Sequence, residues 1–162
     1  MLKNIQKDSI DRQEIQSLIG SDVIKVVEVI KAETPYGVSI KITLFATDHE
    51  ITTDELAKSY RILYPRYSVL LGERDLSMEI SSPGLQRSLK DVYEFEVFAG
   101  KCVRIYSDTY SSWVIGDILS SDETDLVLKN AVVEDTKAES DTLSIPFCSI
   151  QKAKLEFRWE EK

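Results

Sequence analysis

The sequence predicts an α+β protein built in two parts, a small α/β sandwich followed by an all-β barrel. Three observations predict it. In residues 1–82 two stretches with helical apolar spacing alternate with Val/Ile-rich strand patterns, in the order helix, strand, strand, helix, strand. In residues 90–162 one short helical stretch leads into runs of strand chemistry separated by serine- and acid-rich turns. Between them, residues 83–89 open with Pro83-Gly84, which makes a rigid corner rather than a flexible tether.

The first helix is expected at 10–19. Asp11 and Glu14 have capping-box spacing, Ile15, Leu18 and Ile19 recur on one face, and Gly20 suits the C-cap. From Asp22 to Glu33 the chain is rich in Val and Ile, which favour strands. Thr34-Pro35-Tyr36-Gly37 has the composition of a type I turn. Val38, Ile40, Ile42 and Leu44 then alternate with polar residues, so an antiparallel hairpin with one buried face is expected. Thr52 and Glu55 form a second capping box. Leu56, Tyr60, Leu63, Tyr67 and Leu70 follow as an apolar stripe. Pro65 interrupts that stripe and predicts a helix end or kink near Tyr64. Leu76, Met78 and Ile80 alternate as a third strand. The intervening helix implies a crossover, hence a mixed sheet with both helices on one face.

At the corner, Pro83 stops the strand and biases Ser82 towards an extended form. Gly84 offers positive φ, while Leu85 and Leu89 are read as apolar anchors around Arg87. A short helix over 89–95 follows. Strands are then expected at 101–106, 113–120, 125–129, 143–147 and 150–157. Several short strands in so few residues predict closure into a barrel, which removes exposed edges. Val103, Ile105, Ile115, Leu119, Leu126, Leu128, Leu143 and Ile145 are its expected interior. Gly116 predicts a bend or bulge, Pro146 an edge position or strand end, and Glu134–Asp141 a long polar loop.

The net charge of −8 is unevenly spread. Residues 1–88 carry 11 basic and 13 acidic side chains, whereas residues 89–162 carry 9 and 15. Asp117, Asp122, Glu123 and Asp125 head an acidic run that repels a phosphate backbone and attracts a basic protein. Acidic loops that merely keep the barrel soluble are the plainer alternative. Lys25, Lys31, Lys41, Arg61 and Arg87 could instead form a local basic patch for RNA. Cys102 and Cys148 make neither a disulfide framework nor a zinc site, and are read as small apolar strand residues. His49, the single histidine, is read as a solvated loop residue. No phosphate loop, dinucleotide fingerprint or nucleophile motif occurs, so neither enzymatic activity nor a cofactor or metal is expected. With no signal-like start and no membrane-length apolar run, a cytoplasmic protein that does not enter a membrane is expected.

Glu79-Ile80-Ser81-Ser82-Pro83-Gly84-Leu85, continued by Arg87 and Leu89, resembles the signature of the RimP family of ribosome maturation factors. The family pattern has Asp and Pro where this chain has Gln86 and Ser88. Ile51-Thr52-Thr53-Asp54-Glu55-Leu56 is similar to the family's helix-opening run. Ile145-Pro146-Phe147, Ile150 and Lys152-Ala153-Lys154-Leu155 resemble its closing segment, so the likeness covers residues 9–157. The resemblance implies an SH3-like (Sm-like) barrel in the second part. It also implies a factor that binds the free small (30S) ribosomal subunit and promotes incorporation of ribosomal proteins in the decoding region. A basic ribosomal protein of that region and ribosomal RNA are the partners it suggests. Without the resemblance, an RNA-binding module or an adaptor with no ribosomal role stands as the alternative.

Overall fold

The structure, a computed structural model, describes residues 2–156. The chain forms two compact units. One is Gln6–Pro83; the other begins at Gly84 and takes in the N-terminal segment up to Ile5. The boundary therefore falls inside the Pro-Gly corner, and the first few residues belong with the second half of the chain.

In the Gln6–Pro83 unit, helix α1 (Ile10–Ile19) precedes strands β1 (Ile24–Glu33) and β2 (Gly37–Ala46). Helix α2 (Thr53–Leu71) and strand β3 (Asp75–Ser81) complete it. The sheet order is β1-β2-β3, with β1 and β2 antiparallel and β2 and β3 parallel, as the crossover demanded. Ile15, Val26, Ile40, Ile42, Leu44, Leu63 and Tyr67 form its core, with Leu76, Met78 and Ile80 packed against it. Three expectations change. The α1 cap is Ser9, whose hydroxyl accepts from the Arg12 N–H; Asp11 lies in the first turn, where its charge still suits the helix N-terminus. Helix α2 runs on through Pro65 to Leu71, because Leu63 and Tyr67 on either side of the proline are both anchored in the core. On the apolar stripe, Tyr60 and Leu70 are 38% and 64% exposed, so Leu63 and Tyr67 carry the burial.

The second unit holds α3 (Val92–Val97), β4 (Cys102–Ser107), β5 (Ser112–Ser121), β6 (Asp125–Val133), β7 (Glu139–Pro146) and β8 (Ile150–Leu155). These five strands form one antiparallel sheet in the order β7-β6-β5-β4-β8. A single 3-10 turn, Phe147–Ser149, connects its two end strands. A flat sheet of this width would set those strands about 19 Å apart, whereas one such turn advances about 6 Å. The sheet is therefore strongly curled. It is not closed by a β7–β8 ladder: Leu89 N–H donates to Ala153 O at 2.8 Å, and Leu155 N–H to Arg87 O at 2.9 Å. The free side of β8, which β7 would need, is occupied by the segment after the corner. The final expected strand residue, Phe157, lies outside the described residues.

Val103, Ile105, Leu126, Leu128 and Ile145 are buried as expected. On β5 the phase is opposite to expectation: Val114 and Ile118 are buried, while Leu119 is 49% exposed and Ile115 half-buried. The run Trp113-Val114-Ile115 is apolar on both faces, so alternation alone could not set its phase. Gly116 decides it, standing on the inner face where an added Cβ would lie 3.1 Å from Leu128 Cβ. The β5–β6 register shifts beside it, between Ile115 and Asp117, as a strand glycine predicted. Leu143 is only half-buried, because β7 is an end strand that finishes at Pro146. Most of the expected 134–141 loop is the β6–β7 turn, 134–138, while its last three residues belong to β7, with Ser140 opposite Ala131 and Glu139 opposite Val132. Cys148 sits exposed in the 3-10 turn rather than in a strand, and Cys102 is half-buried at the start of β4.

Candidate interaction surfaces

The signature segment folds as a turn, Arg87 N–H donating to Gly84 O at 3.2 Å. Ser81 ends β3; Ser82 is exposed and Pro83 half-buried. Gly84 is not in the left-handed region, and a Cβ there would meet nothing within 4 Å, so the expected positive φ is not used. Leu85, at 68% exposed, is no anchor; Leu89, at 2%, is one.

Arg87 reaches inward. Its Nε lies 2.6 Å from Glu94 Oε1, and its second nitrogen 2.5 Å from the same oxygen, with the glutamate wholly buried. The other carboxylate oxygen of Glu94 accepts the N–H groups of Lys90 at 2.6 Å and Asp91 at 3.1 Å. Burial pushes the Glu94 carboxyl above the usual range, while the Arg87 charge and these donors pull it back. Asp91 caps α3 through Tyr93 N–H and accepts Ile5 N–H at 2.6 Å. Lys3 exchanges backbone hydrogen bonds with Lys90 and Val92, so one polar knot holds the corner segment, α3 and the chain start. The Asp91/Glu94 spacing is a capping box that was legible in the sequence; its partnership with Arg87 was not.

The other basic residues are not brought together. Lys25 and Lys41 share the sheet face that carries Phe45 and Glu79, away from the helices, and Lys41 has Glu79 beside it. Lys31 pairs with Glu33 at 3.3 Å, and Arg61 is exposed on α2, across the sheet. Arg87, in its buried pair, lies in the other unit.

Three of the four acids do converge. Asp122, Glu123 and Asp125 form the β5–β6 turn, and Asp117 lies further down β5 opposite Lys129. The Asp122 carboxylate accepts Thr124 N–H and Asp125 N–H, each at 2.7 Å. Those bonds, Asp125 first, hold its pKa below the usual carboxylate value. Asp122 thus shapes the turn, leaving Glu123 at the tip. His49 is more engaged than expected, lying between Asp48 at 2.5 Å and Glu55 at 2.7 Å; both contacts raise its pKa. Among the described residues no group of three or more His, Cys, Asp or Glu could hold a metal ion, and no helix is long and apolar enough to cross a membrane.

These features define a two-unit α+β protein whose polar groups serve turns, caps and surface charge. No family model matches the chain. Full-length relatives do. A protein of Borrelia garinii subsp. bavariensis is 26% identical over 155 residues, spanning 96% of this chain and 99% of that one. One from Borreliella burgdorferi strain ZS7 is 23% identical over 159 residues, with the same coverage of both chains. One from Borrelia recurrentis is 26% identical over 150 residues, covering 90% of this chain and 96% of that one. Each is named ribosome maturation factor RimP. The chain is thus similar to RimP proteins along nearly its whole length.

Proposed function

We propose that this protein is a ribosome maturation factor that binds the free small (30S) subunit and assists its assembly by promoting ribosomal protein incorporation. The observation that carries the reading is end-to-end similarity to proteins of that name, spanning 96% of this chain and 99% of the first relative. In this reading the factor works by binding, without catalysis or cofactor, in the cytoplasm, as the name shared by its relatives suggests. The second unit is assigned an SH3-like barrel architecture, supported by its curled sheet and by the 3-10 turn between end strands. Ser81–Leu89 is assigned to the joint between the units, with Leu89 and Arg87 holding its far side.

The turn formed by Asp122, Glu123 and Asp125 is the contact assigned to a basic ribosomal protein of the decoding region. Its charge favours such a partner, and its hydrogen bonds fix the turn before binding. Glu123→Gln with Asp125→Asn should lower the association rate with that protein several-fold at low salt and less at high salt, by stopped-flow mixing. An unchanged rate at low salt would reject this contact. The role itself is tested by depletion. Cells lacking the protein should accumulate precursor small subunits, and unaltered small-subunit processing would contradict it.

A further inference from the structure

The outer face of β4, β5 and β8 carries side chains that the function above does not use. Val103, Ile105, Val114, Ile118, Ile150 and Ala153 fill the core, so Arg104, Tyr106, Trp113, Ile115, Lys152 and Lys154 stand on the opposite face. Register sets them in two rows. Lys152 lies opposite Tyr106, which lies opposite Trp113; Lys154 lies opposite Arg104, which lies opposite Ile115. The Tyr106 and Trp113 rings meet edge to face with centroids 5.6 Å apart. The Arg104 guanidinium lies 4.7 Å from the Trp113 ring centroid, held there by Glu134 through bonds of 3.1 and 2.9 Å. Lys152 is exposed and Lys154 half-buried, and neither has an ion-pair partner among the described residues.

We propose that this face binds single-stranded RNA, with Lys152 and Lys154 contacting phosphates and bases stacking on the Tyr106–Trp113–Arg104 group. The choice of RNA among single-stranded polyanions rests on the ribosomal reading above. The match is local: in a chain of net charge −8, two uncommitted cations stand two residues apart beside an aromatic pair. An acidic protein segment would use the lysines but would gain little from the rings. Arg104, already neutralised by Glu134, supplies a stacking plane and not a free charge.

The test uses the full chain and a fluorescent mixed-sequence oligoribonucleotide of about 12 nucleotides, read by anisotropy across about 50–200 mM salt. Replacing both lysines (Lys152→Ala, Lys154→Ala) should lower the slope of log K against log salt by about 1.4. Tyr106→Thr should weaken binding about five-fold or more, with melting temperature checked alongside. Because the lysine variant leaves the core untouched, it decides the matter even if Tyr106→Thr does not fold. No binding by the unaltered protein, an unchanged slope in the lysine variant, or equal competition by polyglutamate would overturn the proposal. Loss of oligonucleotide binding with ribosomal subunit association retained would support this face as the RNA site. Oligonucleotide binding without any subunit association would uphold this site and contradict the ribosomal role alone.

Discussion

In the Gln6–Pro83 unit the outer edge of β1 is held by side chains, whereas in the other unit the outer edge of β8 is held by backbone. Gln16 on α1 accepts from Val26 N–H at 2.8 Å and donates to Ile24 O at 2.9 Å. Gln6 repeats the device more loosely at Val29, at 3.3 and 3.5 Å. On β8 the backbone of Arg87 and Leu89 does the work, fixed in turn by the buried Arg87–Glu94 pair. Both satisfy edge groups that would otherwise recruit another strand. The difference lies in what failure costs. A glutamine seal involves one residue and fails locally, while the backbone seal is tied to a buried charge, a helix cap and the chain start.

That contrast is broken most severely at the ion pair. Glu94→Ala leaves Arg87 charged and largely buried, and should destabilise the protein by about 3 kcal/mol or more in denaturant titration. Replacing both partners with apolar residues should cost clearly less than either single change; equal costs would mean the pair does not act as a unit. Gly116→Val should follow, at about 1–3 kcal/mol, because its Cβ would press on Leu128 at 3.1 Å. Gln16→Leu should cost about 1–3 kcal/mol by leaving Val26 N–H unpaired, and Gln6→Leu less, since its bonds are longer. Amide exchange should then accelerate at Val26 while Leu155 stays protected. At the small end, Gly84→Ala should lie within about 0.5 kcal/mol of the parent.

His49 gives a pH signature confined to the first unit. Its pKa is raised by Asp48 and then Glu55, so the contact stabilises the fold fully below the unfolded value near 6.5. That contribution is lost as pH rises through the folded value. His49→Gln should flatten the pH dependence of stability above 6.5, read from denaturation midpoints.

Much of the fold was legible, because apolar period and turn chemistry are local. Thr52 with Glu55, Gly20, the hairpin and the parallel crossover follow from spacing. What escaped was set by partners distant in sequence. Gln6 and Gln16 read as ordinary polar residues until β1 is beside them. Arg87 looked like a surface cation, yet its partner lies seven residues on, inside the core. The β5 phase depended on Leu128 covering Gly116, and the sheet is left without a β7–β8 ladder because the backbone of Arg87 and Leu89 bonds to β8. The acidic turn was readable as charge, but not as a turn that Asp122 ties together. The face around Trp113 was missed because its members come from three strands, one or two at a time.

The central claim is tested most directly by sucrose-gradient fractionation of the tagged protein from growing cells at moderate salt. Signal with free small subunits and not with assembled ribosomes is the predicted result. Signal only at the top of the gradient, persisting at low salt, would contradict a role in small-subunit maturation.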